Sequence, residues 1–204
     1  MMHIDKETYK ISDNNYHKTK TLKTQIVIGT TLRKNNHHIT RLKHKDLGES
    51  TKWNTFTINR NGDIFQHYDD KYFSDFLGVK QADKRTISIL LENMGCLFED
   101  EGKYYNWLNE VCEIDSVVEK KWFGYDYWEK VTENQIKSLI GLIKVLCKKH
   151  EIPKEIIEFQ NFHKDTSKFN GIVFRSNYDS NGSDVNPFIN TNELNEEIVL
   201  YKNI

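Results

Sequence analysis

The run KTQIVIGTT, residues 23–31, constrains the fold more than any other stretch of this chain. Ile26, Val27 and Ile28 are β-branched and favour an extended backbone, and the run stops at Gly29 before a polar loop, as a central strand does where it leaves a sheet. Two further stretches read the same way. RTISILLENMG, residues 85–95, sets Ile87, Ile89 and Leu91 on one face of a strand and again ends at a glycine, and GIVFRSNY, residues 171–178, supplies a final strand. Between the first two, WNTFTINRNGDIFQHYDD spells a hairpin. Phe56 and Ile58 lead in, Asn61 and Gly62 supply the positive φ angles of the turn, and Ile64 leads out.

Residues 131–150, VTENQIKSLIGLIKVLCKKH, predict an amphipathic helix. Thr132 as N-cap and Gln135 three residues later make a capping box, and Ile136, Leu139, Ile140, Ile143, Leu146 and Cys147 form one apolar stripe. Lys148, Lys149 and His150 complement the negative end of the helix dipole. Strand, hairpin, strand, helix and strand in that order predict an α/β (α+β) domain, a single mixed β-sheet flanked by helices, over residues 21–204. Two segments stand apart from it. Residues 1–20 read as a polar N-terminal arm that orders only against a partner, and the stretch at about 96–130, dense in aromatic and acidic side chains, reads as an insertion containing one short helix and covering an edge of the core.

Composition excludes several classes of function. The 29 basic and 30 acidic residues leave a net charge of -1, so no global field draws in nucleic acid or an acidic membrane, and neither is expected as a partner. The longest apolar run, IKSLIGLIKVL, is broken by lysines and falls short of the roughly 20 residues of a spanning helix. The N-terminus shows no apolar core of a secretory signal, which predicts synthesis in a cytoplasm. Cys96, Cys112 and Cys147 are odd in number and lack CxxC spacing, so reduced thiols are expected, with Cys147 in a core.

Taken in order, QIVIGTT, the hairpin, TISILLENMG, the capped helix, GIVFRSNY and DVNPF resemble the type 2 N-acetylmuramoyl-L-alanine amidases and the related peptidoglycan recognition proteins, over roughly residues 22–190. The resemblance implies a zinc ion held by two histidines and a cysteine or aspartate, which polarises the amide carbonyl between a muramic acid lactyl group and L-alanine and acidifies a bound water. It also implies where those ligands would stand in this chain. The first falls on Gly29, the second on Arg175, and the third on Asp184, whose DVNPF context is similar to the family's DPGPxF and keeps Asp184, Pro187 and Phe188. Glycine offers no ligand atom, and a guanidinium is always protonated and has no lone pair to give. The expectation is a degenerate metal site with no catalytic residue and no cofactor, closed by an Arg175–Asp184 ion pair. Asn54 matches a tyrosine of some relatives, Gly182 or Ser183 falls where a lysine often precedes the acidic ligand, and Trp53, Glu92 and Asn177 complete the candidate cleft.

Other side chains invite sharper readings. His37 and His38, with His44 nearby in the basic loop of residues 35–46, could rebuild a metal site, although neighbours on an extended chain point to opposite sides; the plainer reading is a solvated loop. His67 and His163 read as structural or surface histidines. Asp69, Asp70 and Asp75 could be glycosidase carboxylates, but adjacent acids after a hairpin fit a solvated turn better. Trp107, Trp122, Tyr125, Tyr127 and Trp128 are too many for a small domain to bury and predict an interface. The sequence therefore predicts a catalytically degenerate amidase-like binding or structural module, a phage virion, tail or baseplate component, with peptidoglycan or other phage structural proteins as partners. The alternative is an active zinc-dependent amidase of the endolysin type, with zinc as its cofactor.

Overall fold

The computed structural model describes residues 2–34, 50–158, 160–179, 184, 186–189, 194 and 196–198. Strands β1 (Ile4–Asp5), β2 (Gln25–Thr30), β3 (Phe56–Ile58), β4 (Ile64–Gln66), β5 (Thr86–Leu91) and β11 (Gly171–Phe174) form one mixed sheet in the order β1-β4-β3-β5-β2-β11. Strands β3, β5, β2 and β11 are parallel neighbours, so their carboxyl ends open on one edge, where ligand sites of such sheets gather. Ile26, Ile28, Phe56, Ile58, Ile87, Ile89, Leu91, Ile172 and Phe174 belong to one core with Leu139, Leu142, Ile143 and Leu146 of helix α2 (Glu133–His150). Each such side chain contributes about 1.5–3 kcal/mol by leaving water.

Local signals set the element ends. Thr132 Oγ1 accepts from Gln135 N at 3.2 Å, and Gln135 Oε1 accepts from Thr132 N at 3.1 Å, closing the expected capping box. The buried Gln135 amide also donates to Glu92 O at 2.9 Å, which ties the start of α2 to the end of β5. In the hairpin turn Gly62 N donates to Asn59 O at 3.0 Å; of the Asn61–Gly62 pair, only Gly62 is left-handed, at φ 88°. Asn59 Oδ1 accepts from Asn61 N and Asp63 N and stabilises the loop in place of a second positive φ. A short helix α1 (Lys80–Arg85) precedes β5, begins without a side-chain cap, and has no counterpart in the sequence reading. Leu194 and residues 196–198 are helical, at the place where a terminal turn is expected.

The aromatic segment forms a sheet, not a short helix. Strands β6 (Cys96–Asp100), β7 (Lys103–Tyr105), β8 (Val111–Cys112), β9 (Val117–Trp122) and β10 (Tyr125–Glu129) pair antiparallel in the order β8-β7-β6-β10-β9. Two two-residue turns drive this outcome. Glu101–Gly102 has φ of 49° and 76°, and Phe123–Gly124 has 50° and 82°, so both central residues are left-handed, the geometry that matches strand twist in a tight hairpin. Met94, Leu97 and Cys112 form a small core beneath, and Glu129 joins the two sheets by accepting from Met94 N at 2.6 Å and pairing with Arg60 at 2.6 Å.

Residues 2–20 pack against the rest of the chain. Strand β1 adds to β4 in parallel, Ile11 N donates to His67 O at 3.0 Å, and His17 bridges to Phe73. Ile11 and Tyr16 are buried with Trp53 and Tyr68, and the Tyr16 and Tyr68 rings stack at 4.9 Å. The apolar residues spaced through a polar arm supply the anchor.

Candidate functional site

Strand register brings the candidate residues together from far apart in the chain. Thr57 pairs with Leu90, Leu90 with Gly29, and Phe174 with Ile28, so Thr57, Leu90, Gly29 and Arg175 make a row across the face of the sheet turned away from the Ile26 and Ile28 side chains. Arg175 opens a 3-10 turn, Arg175–Tyr178, at the mouth of β11. A Cβ built on Gly29 would lie 2.5 Å from Asp184 Oδ2, 3.0 Å from Leu90 Cδ2 and 3.2 Å from Arg175 Cβ. The missing side chain is thus what lets the Asp184 carboxylate approach the strand.

Asp184 is buried and fixed by Thr30. Its Oδ1 accepts from Thr30 N at 2.9 Å and from Thr30 Oγ1 at 2.6 Å, and its Oδ2 lies 3.2 Å from Thr30 N and 3.6 Å from Arg175 Nη1. The expected Arg175–Asp184 ion pair is therefore present. Burial pushes the Asp184 pKa up to about 6, against the pull of the Arg175 charge and the Thr30 hydrogen bonds. On its other side the guanidinium packs over Phe76, 5.1 Å from the ring centroid. Beside this pair, Asn93 links Thr31, whose hydroxyl accepts from Asn93 N at 3.2 Å, to Asn186, whose amide reaches Asn93 Oδ1 at 3.3 Å.

These three residues do not fit a zinc ion. Of the three, Asp184 alone carries a ligating group, Gly29 has none, and Arg175 sets a fixed cation beside that carboxylate. Among the described residues, no group of three His, Cys, Asp or Glu side chains is placed to hold a metal. His37, His38, His44, Gly182 and Ser183 lie outside the described residues.

The other candidates have well-defined contacts of their own. Asn54 is buried two strands from Gly29, donating to Phe56 O at 2.6 Å and to Thr57 Oγ1 at 2.9 Å. Trp53 belongs to the cluster under the N-terminal arm. Glu92 is buried where α2 meets the sheet. Asn177 is buried and caps its own turn, accepting from Phe174 N at 2.7 Å. His67 is buried, with ring nitrogens 2.7 Å from Thr57 Oγ1 and 2.8 Å from Tyr9 O; burial lowers its pKa to about 4, so the ring is neutral.

Asp70 departs from the solvated turn expected of it. It is buried against Lys149, which donates at 2.6 and 2.8 Å, with His150 at 3.3 Å, so it pins the end of α2. Asp69 pairs with Lys71, and Asp75 with His17 at 2.9 Å. Trp128 is core, its Nε1 donating to Lys120 O at 2.8 Å, whereas Trp107, Trp122 and Phe123 are exposed. The three cysteines are free thiols; burial pushes Cys147 up to about 11 and Cys112 up to about 12.

The family model described as N-acetylmuramoyl-L-alanine amidase matches residues 16–171. The chain belongs to that amidase family. The matched stretch ends at the first residue of β11, short of Arg175 and Asp184, and solved structures extend the likeness beyond it. A mutant endolysin from Bacillus subtilis superposes with a TM-score of 0.58 at 15% identity, covering 97% of this chain and 99% of its own. The N-acetylmuramoyl-L-alanine amidase LysC from Clostridium intestinale gives 0.56 at 15% identity, covering 99% of this chain and 100% of its own. The catalytic domain of XlyA gives 0.56 at 14% identity, covering 97% and 99%. Such identities establish a shared fold, the mixed sheet with α2 packed on it. Among curated proteins none matches the sequence. Among the described residues no helix is long and apolar enough to cross a membrane.

Proposed function

We propose that this amidase-family chain is catalytically silent and works as a binding or structural module. One observation carries the reading: Gly29 and Arg175, where the family's first two metal ligands would stand, meet Asp184 in the fold, and the Arg175 guanidinium takes the place of a metal at 3.6 Å from that carboxylate. A permanent cation there opposes a second one, and no lone pair is available from either neighbour. The endolysin among the fold relatives supports a phage setting. In that setting the protein is a virion, tail or baseplate component, made in the host cytoplasm and built into the particle, where it contacts peptidoglycan or other structural proteins.

The test is the zinc content of protein purified without chelator, followed by incubation with excess zinc and peptidoglycan. No stoichiometric zinc and no release of stem peptides are expected. About one zinc per chain together with stem-peptide release would overturn the reading in favour of an active amidase, with His37, His38 and His44 as the ligands to test beside Asp184.

A further inference from the structure

We propose that the second sheet docks one copy of this chain onto the next, head to tail, whether or not the metal site is silent. Register and ring contact line up one apolar side chain from each of its five strands. Val111 pairs with Tyr105 and Tyr105 with Phe98; Trp122 pairs with Tyr125, and the Phe98 and Tyr125 rings meet edge to face at 5.9 Å. At a strand spacing of about 4.8 Å the five make a stripe about 19 Å across. Phe98 is 50% exposed, Val111 43% and Trp122 37%, and Phe123 in the adjoining turn is 48% exposed with its ring 5.5 Å from that of Trp122. Exposed apolar surface that is continuous on this scale marks an interaction site, and Tyr, Trp and Phe are the residues that the cores of protein interfaces favour.

Charge identifies the occupant as a second copy. Residues 96–130 carry nine acidic and four basic side chains, a net of -5, and the whole chain is at -1, which leaves +4 for the rest. Glu99, Asp100 and Glu101 stand in and beside the β6–β7 turn, next to Phe98. Stripe against stripe would bring two such acidic sheets together, so the favoured contact joins unlike surfaces. The basic counterpart lies at the other end of α2. A cleft of about 220 Å³ there is lined by Lys6, Lys10 and Lys149, with Glu7 and Asp69. Lys149 pairs with Asp70 and Asp69 with Lys71, whereas Lys6 and Lys10 make no ion pair with another described residue. Glu129, at the base of the second sheet, pairs with Arg60, whose carbonyl accepts from Thr132 Oγ1 at the start of α2. The 18 residues of α2 then span about 27 Å to the end that carries Lys149. One chain cannot lay its stripe on its own lysines, but two copies can meet through them. Each added copy leaves one surface of either kind free, so the contact repeats into a ring or an open filament.

The experiment is sedimentation velocity on the full chain over a range of concentrations, at low and at high salt. Reversible self-association is expected, weaker at high salt because unlike charges are paired. Two variants disable opposite ends: Phe98→Ser with Trp122→Ser removes the stripe, and Lys6→Glu with Lys10→Glu reverses the basic end. Each is expected to weaken self-association at least about tenfold. Mixed in equal amounts, the two variants should form a dimer and nothing larger, since each keeps the surface that the other lacks, and misfolded chains do not produce that recovery. A chain that is monomeric at every concentration overturns the proposal. So does a Lys6→Glu, Lys10→Glu chain that associates as tightly as the parent, the mark of a stripe-on-stripe contact, and so do mixed variants that fail to pair although both keep the parent's melting transition. Zinc content and stem-peptide release, which test the silent site, do not enter this measurement, so the two readings fail separately.

Discussion

Replacing Asp184 with asparagine separates the cost of a buried charge from the contacts around it. In the unfolded chain the carboxyl titrates near 3.8, and in the fold burial raises it to about 6. A carboxyl with a raised folded pKa holds its proton more tightly in the native state, so protonation favours the fold. Its contribution is fully present below the unfolded value, is lost as pH rises towards 6, and stays lost above that. At about 1.36 kcal/mol per pKa unit, the titration of Asp184 costs the fold about 3 kcal/mol at pH 7.5, where the carboxyl is ionised in both states, and roughly half of that at pH 5, where it is ionised only in the unfolded chain. Asparagine carries no such cost at either pH. Its advantage over the native residue should therefore grow, by on the order of 1 kcal/mol, between pH 5 and pH 7.5. The amide's own contacts to Thr30 and Arg175 are the same at both pH values and drop out of that difference. Asp83, also raised to about 6, titrates in both proteins and drops out too. Urea unfolding followed by tryptophan fluorescence, with linear extrapolation at each pH, measures the quantity. An advantage that is unchanged between the two pH values would refute the reasoning, and one that shrinks would show that the Arg175 pair outweighs burial.

Gly29→Ala should destabilise the fold by about 1–3 kcal/mol, because the added methyl meets Asp184 Oδ2 at 2.5 Å; urea midpoints measure it, and adding Asp184→Ala should recover part of the loss. Thr132→Ala removes the acceptor of Gln135 N and should cost about 1 kcal/mol in the same assay, with little change in the m-value.

Much of the frame was legible in short windows of sequence. The β-branched runs became β2 and β5, Asn61–Gly62 fell in the hairpin turn with Gly62 alone left-handed, and Thr132 with Gln135 became a capping box, because each outcome depends on residues within a few positions of one another. The second sheet was hidden by its aromatic residues, which bury well in either a helix or a strand; the two x-Gly pairs at residues 101–102 and 123–124 were the local signal for it. Helix α1 carries no side-chain cap and is under two turns long, so nothing local announced it.

The amino-acid sequence by itself determined that the position of one ligand is a glycine and that of another is a guanidinium, since identity alone decides which atoms can donate a lone pair. Tertiary structure decided that Gly29, Arg175 and Asp184 meet at all, through the pairing of β11 on β2. It also decided that Asp70 is buried against Lys149 while Asp69, its neighbour, pairs with Lys71. Burial, register and the pKa of a carboxyl all depend on groups distant in the chain, and only the packed sheet brings those groups within a few ångströms.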